Sequence, residues 1–296
     1  MTAMKLRALA PAKVNLSLFL GGVREDGRHR LVTVFESLSL ADTLELEVTG
    51  TEDVVVCPGV EGENLAARAL AGLRARGWDG PPVRVTIEKR IPVAAGMAGG
   101  SADAAATLRL AMAVAPGRAE EVDQLAAGLG ADVPSQLLPG LALGTGAGEI
   151  VEHFEALPEH AFVILPSEFA LATPDVFREA DRLGLQRSDA ELDSLYDELV
   201  GALAPEPGLP SVLLVNDLQA AAVSLCPWCG DALEAVRAAG AEHAMVSGSG
   251  PTVVGIWWGL GAVGRAFAAA QRLRDEHPLA VAAEPVTAEF AAPSLT

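Results

Sequence analysis

Along the first ninety residues apolar and polar side chains alternate with a period of two, which predicts β-strands. Val14, Leu16, Leu18 and Leu20 share one face of such a strand, Leu44, Leu46 and Val48 one face of another, and Val83, Val85 and Ile87 one face of a third. Between the last two, Asn64 stands as an N-cap and Gly77 as a stop, so the intervening segment through Arg76 is predicted to be a helix. A glycine-rich loop over 92–100 follows. Ser101 then opens an alanine-rich helix that runs to about Ala115, and a further helix is predicted near Glu120–Leu129.

Beyond Gly148 the pattern changes to short elements separated by proline. Strands are predicted at Ala161–Leu165, on both sides of residues 247–252, and near Val286. Helices are predicted at Pro174–Leu183, near Asp217–Ser224, Asp231–Ala239 and Val263–Glu276, with 205–210 as a connector. The change of character places a domain boundary near residue 155, dividing the chain into 1–155 and 156–296.

Composition narrows the choice of function. The 296 residues carry 39 acidic and 21 basic side chains, a formal charge of −18, which argues against nucleic acid or an anionic membrane as partner. Half the residues are hydrophobic, enough for a buried core. No apolar run is long enough to span a membrane, and Pro11 and Lys13 interrupt any signal-peptide core, so a cytoplasmic location is expected. Cys226-Pro-Trp-Cys229 has the spacing of redox and zinc sites, but no second ligand pair accompanies it, and it reads as two helix-end cysteines.

Three segments carry candidate chemistry. In Lys89–Ala106 a strand runs through glycines into a helix, so unpaired backbone N–H groups and the positive helix end converge on one spot, an anion site. It is neither a P-loop, since no lysine follows Gly100, nor a dinucleotide fingerprint. In Pro11–Leu18, Lys13, Asn15 and Ser17 form a polar row opposite an apolar one, which suits a strand with one face on a site and one on the core. The third is Ser247-Gly-Ser-Gly-Pro-Thr252, a polar turn between apolar strands. Taken singly, each also fits a plain structural role: a capped helix start, a solvated strand face, a sharp turn.

Taken together, Pro11-Ala-Lys-Val-Asn-Leu16, the segment Pro92–Ala105, Leu129-Gly-Ala-Asp-Val-Pro134 and Ser247–Thr252 resemble, in order and approximate spacing, the GHMP superfamily of small-molecule kinases. That superfamily is named for galactokinase, homoserine kinase, mevalonate kinase and phosphomevalonate kinase. The resemblance is strongest to the branch that uses ATP to phosphorylate the 2-hydroxyl of a cytidine diphosphate derivative, 4-diphosphocytidyl-2-C-methyl-D-erythritol. It implies an α+β fold of two domains, an N-terminal ribosomal-protein-S5-domain-2-like domain and a C-terminal ferredoxin-like one, with ATP and Mg2+ as cofactors. The oligomeric state stays open.

The resemblance also implies roles for individual residues. Asp132 would be the catalytic acid–base residue and Lys13 its cationic partner. Pro92, Val93, Ala94, Ala95, Gly96, Met97, Ala98, Gly99, Gly100, Ser101 and Ala102 would cradle the ATP phosphates, with Lys89 and Asn64 beside the adenosine. Asn15, His29, Thr173 and Phe177 would hold the cytidine diphosphate, Phe177 by stacking. Family members usually have a tyrosine before the histidine of the Asp-Gly-x-His turn; here Arg28 stands there, offering a planar guanidinium in its place. A homoserine or mevalonate type of kinase would have no reason to carry this turn together with Thr173-Pro-x-x-Phe177. A ligand-sensing member without catalysis would be expected to have lost Lys13 or Asp132, and both are present.

Overall fold

A computed structural model describes residues 4–60, 62–92, 96–204 and 208–296. Two long strands, β1 (Lys5–Val23) and β2 (His29–Val48), form an antiparallel hairpin that is the spine of the first sheet. The two halves of β2 take different neighbours. Its second half pairs with β4 (Val83–Glu88), which pairs in parallel with β3 (Val54–Val56), while its first half pairs with β5 (Leu141–Thr145), followed by β6 (Ile150–Phe154). The expected alternation is clean in β4, where Val83, Val85 and Ile87 are buried and Arg84, Thr86 and Glu88 exposed.

In β1 the alternation is broken. Register shifts between Pro11 and Lys13 and between Asn15 and Ser17 re-aim side chains, and the strand is covered on both faces from Ala10 to Gly21. The polar row therefore divides: Lys13 and Asn15 face the site described below, while Ser17 donates to the Leu213 carbonyl.

The helices α1 (Leu65–Ala75), α2 (Gly99–Val114), α3 (Ala119–Leu129) and α4 (Val133–Leu137) accompany this sheet. Asn64 caps α1 as expected, its Oδ1 accepting from the Ala66 N–H at 2.8 Å, worth about 1 kcal/mol for such a cap. The alanines of α2 are explained by its place: Ala102, Ala104, Ala105, Ala106 and Ala111 are fully buried, and small side chains let α1 and β1 approach closely. The helix starts at Gly99, not Ser101. Ala98, in the left-handed region at φ 54°, is its N-cap, and Ser101 lies in its first turn. A left-handed alanine costs about 1–2 kcal/mol, so the loop is held in a strained shape.

The second sheet contains β7 (His160–Leu165), β8 (His243–Val246), β9 (Val253–Trp258) and β10 (Val281–Ala283) in the order β10-β7-β9-β8. Numbered within itself this is 4-1-3-2, all antiparallel, the order of a ferredoxin-like sheet. The helices of this half are α5 (Thr173–Leu183), α6 (Asp189–Leu203), α7 (Gln219–Leu225), α8 (Trp228–Ala238) and α9 (Ala262–Leu273); α8 and α9 pack on the second sheet, while α6 reaches across to β1 and β2 of the first. The last strand of the second sheet lies at 281–283 rather than at Val286, whose N–H instead bonds the Ser37 carbonyl across to the first sheet. The chain ends in β11 (Ser294–Leu295), which pairs with β1. Among the described residues no helix is long and apolar enough to cross a membrane.

Candidate active site

Three elements converge at the start of α2. Lys13, on β1, is 4% exposed; its Nζ donates to Asn15 Oδ1 at 2.7 Å and lies 3.6 Å from Asp132 Oδ1. Asn15 is itself fixed, donating from Nδ2 to Thr33 Oγ1, which donates on to the Ser17 carbonyl. With Asn15 presenting its oxygen, Lys13 Nζ has one amide and one carboxylate neighbour in a buried place. Asp132 precedes α4, and its side chain is about one-third exposed, so the carboxylate is open to a ligand on one side and to Lys13 on the other.

Two cavities meet here. The larger, about 690 Å³, is lined by Lys13, Asn15, Asp132, Arg28, His29, Thr173 and Phe177 among others. The smaller, about 290 Å³, is lined by Asn64, Lys89, Pro92, Met97, Gly99, Gly100 and Asp103. Gly96 and Ala98 line both, so the loop before α2 is the wall they share. No side chain caps α2, which leaves its first-turn N–H groups without a side-chain partner at the smaller cavity. Glycine is required at 96: φ is +74° and an added Cβ would sit 2.6 Å from the Gly250 carbonyl oxygen. Ser101 and Ala102 lie in the first turn just behind. Val93, Ala94 and Ala95, expected in the same loop, lie outside the described residues.

Lys89 is not a free cation. Its Nζ donates to Asp103 Oδ2 at 2.7 Å and to buried Asp42, whose other oxygen accepts from the N–H groups of Arg90 and Ile91. This network ties the end of β4 to α2 beneath the loop that precedes it. Asp103 is buried and its Oδ1 has no hydrogen-bond partner. Burial pushes its carboxyl up to about 7, against the opposing pull of Lys89. Because the native value stands above the ordinary 3.8, the native state binds the proton more tightly than the unfolded chain. The stability this gives is complete below about pH 4 and is lost as pH rises through 7. Asp103→Asn, neutral throughout, should therefore gain in melting temperature relative to the parent between pH 5 and pH 8; a difference independent of pH would contradict the assignment.

In the larger cavity His29 donates from Nε2 to Asp181 Oδ1 at 2.7 Å, and its ring lies 5.0 Å from that of Phe177. Gln186 also donates to Asp181. Arg28 donates through Nε and Nη2 to Asp26 and stands 3.6 Å from Glu149, so the edge of its guanidinium is occupied and a face is what it can still offer a ligand. Ser249 and Thr173 share a hydrogen bond of 3.0 Å. The 247–252 turn is stapled by Asn216, whose Nδ2 donates to the carbonyls of Val246 and Gly248. Gly248 is held against Asn15 and Lys13: a Cβ there would be 3.2 Å from Asn15 Oδ1 and 3.8 Å from Lys13 Nζ.

Thr33 and Asp181 hold the expected residues Asn15 and His29, and Asn216 holds the 247–252 turn, through hydrogen bonds spanning from 18 to 152 positions in sequence, and no local motif marks them. Cys226 and Cys229 are buried, unlinked and located at the end of α7 and in the first turn of α8. Burial pushes the Cys229 thiol up to about 12, which leaves almost no reactive thiolate. Among the described residues no group of three or more His, Cys, Asp or Glu side chains could hold a metal ion.

With this geometry in view, residues 64–140 match the family model for the GHMP kinases N terminal domain and residues 196–274 that for the GHMP kinases C terminal. A relative from Streptomyces coelicolor, named 4-diphosphocytidyl-2-C-methyl-D-erythritol kinase, is 44% identical over 84% of this chain and 86% of its own length. The chain belongs to the GHMP kinase family. A kinase of the same name from Rhodococcus jostii is 43% identical over 82% of this chain and 81% of its own length. A crystal structure of 4-(cytidine 5'-diphospho)-2C-methyl-D-erythritol kinase superimposes with a TM-score of 0.74 at 34% identity, covering 94% of this chain and 98% of that one. A homoserine kinase from Cytophaga hutchinsonii shares the GHMP kinase fold at a TM-score of 0.66 but is only 17% identical, which speaks for fold alone.

Proposed function

We propose that this GHMP kinase transfers the γ-phosphoryl group of ATP to the 2-hydroxyl of 4-diphosphocytidyl-2-C-methyl-D-erythritol. The observation that carries the reading is the Lys13–Asp132 pair beside the glycine loop that two cavities share. The smaller cavity has the features of a nucleotide site: Asn64 and Lys89 along its walls, Gly96, Met97, Ala98, Gly99 and Gly100 at the mouth of α2. Anionic phosphates there meet backbone N–H groups and the positive helix end. The larger takes the acceptor, with Asn15, Arg28, His29, Thr173 and Phe177 around it. The names of the relatives support the acceptor's identity.

In this reading Asp132 accepts the proton of the attacking hydroxyl as the oxygen closes on phosphorus, and Lys13 balances charge on the transferring group. Such a reaction asks the protein chiefly for position and electrostatic support. Mg2+ would arrive with ATP, held mainly by phosphate oxygens and water. A division into domains 1–155 and 156–296 is supported by the change of sheet between β6 and β7.

Arg28 is proposed to stack on the cytosine where relatives have tyrosine. Arg28→Tyr should then change KM for the acceptor by no more than several-fold and leave kcat near the parent value, since either planar group can supply stacking of about 1–3 kcal/mol. A collapse of kcat would give Arg28 another role. The function itself is tested by ADP release with the cytidine diphosphate acceptor, homoserine and mevalonate offered in parallel. Turnover with the first alone is expected; turnover with another acceptor alone, or with none, would refute it.

A further inference from the structure

Arg109 sits in the middle of α2 between Leu108 and Leu110, both fully buried, and no carboxylate lies within ion-pair distance of it among the described residues. Burial pulls its guanidinium down to about 10, which still leaves it cationic at neutral pH. Arg109 as a whole is half-buried, but its Nε is enclosed, and a cation withdrawn from water without a counter-charge is costly, so its hydrogen bonds must offset the desolvation. Nη2 donates to the Leu9 carbonyl at 2.7 Å, Nη1 donates to the Gln136 carbonyl, and Nε is buried without a partner.

The two carbonyls stand at equal sequence offsets from the proposed reacting pair. Leu9 is four residues before Lys13 on β1, and Gln136 is four residues after Asp132 on α4. Helix α4 has five residues, contains Pro134 and lacks a side-chain cap, so one helical turn alone holds Asp132 weakly. The pair does not fasten itself either: Lys13 Nζ and Asp132 Oδ1 are 3.6 Å apart, too long for a hydrogen bond. Beside the burial of Val133 with Ala8 and Ala10 and the hydrogen bond from Ser135 Oγ to the Asp132 carbonyl, the fork of Arg109 is the polar tie that joins the Lys13 strand to the Asp132 helix from below.

We infer that Arg109 is a positioning residue, whose two-pronged guanidinium sets the distance between Lys13 and Asp132. The inference rests on the reading of that pair as the reacting centre. A lysine in its place can reach one carbonyl but cannot present a planar fork, and a methionine fills much of the volume with no donor.

The test is a double-mutant cycle on the full-length enzyme, with kcat, KM and melting temperature measured for Arg109→Lys, Arg109→Met, Asp132→Asn and Arg109→Lys combined with Asp132→Asn. Arg109→Lys should lower kcat per folded molecule about tenfold and Arg109→Met up to about a hundredfold, as expected for a shift of about 1 Å at a reacting centre. KM for ATP and acceptor should stay within about twofold. In the Asp132→Asn background the effect of Arg109→Lys should vanish.

A fall in melting temperature with kcat per folded molecule unchanged would reduce Arg109 to a structural residue and overturn the inference. A parallel rise in KM, or an Arg109→Lys effect that persists undiminished without Asp132, would also overturn it. If Arg109→Met does not fold, Arg109→Lys and the cycle decide. Loss of the Asp132 reading shows separately, as near-parental kcat in Asp132→Asn alone.

Discussion

Asp132→Asn is expected to lower kcat by about 10²–10⁴ while KM for both substrates changes little, the signature of a lost acid–base group. The amide keeps the volume of the side chain but cannot take a proton from a hydroxyl. The carboxylate stands outside the hydrogen-bonding of its own helix, since it caps nothing in α4, and its side chain is about one-third exposed. Its removal should therefore leave the fold intact, with melting temperature near the parent. A variant turning over near the parental rate would withdraw Asp132 from the reaction.

The second large effect is expected at Lys13. Lys13→Met should lower kcat by about 10²–10³, the usual loss when one preorganised charge at a developing anion is removed. Here a stability cost accompanies it, because Lys13 is buried and Asn15 Oδ1 would lose its donor. Methionine retains most of the apolar stem packed near Phe35, over whose ring the ammonium stands at 5.2 Å. Steady-state kinetics alongside thermal melts separates the two effects. If kcat falls only as far as the folded fraction does, Lys13 is structural.

Much of the framework was legible from local chemistry. Asn64 caps its helix because a side-chain oxygen there meets an unpaired N–H, and the alternation in β4 survives because one face of it is open to water. The four motifs that carry the resemblance place Lys13, Asp132, Gly96 and Gly248 at one site. Helix α6 does carry local signals, a capping box of Ser188 and Glu191 and an apolar stripe at Leu192, Leu195, Tyr196, Leu199, Val200 and Leu203, although the expectations above leave this segment unassigned. Other features were hidden for physical reasons. Ser101 looks like a cap by residue type, yet the bend is taken up by a left-handed Ala98, which no propensity favours.

Lys89 reads as a cation available to a nucleotide, but Asp42, 47 positions away, already holds it. Arg109 gives no local signal, since its two partners are backbone carbonyls on elements distant in sequence. The negative net charge also takes its meaning from the structure: the start of α2 presents N–H groups that no side chain caps, and Lys13 and Lys89 are each balanced by neighbouring acceptors, so the proposed site for small anions needs no broad positive surface.

Phosphorus NMR of the reaction of the purified enzyme with ATP, Mg2+ and 4-diphosphocytidyl-2-C-methyl-D-erythritol tests the central claim most directly. One new phosphomonoester signal is expected, rising in step with ADP and showing no coupling to a vicinal proton, because the 2-carbon carries a methyl group and no hydrogen. ADP without a phosphomonoester, or a phosphomonoester split by a neighbouring proton, would contradict it.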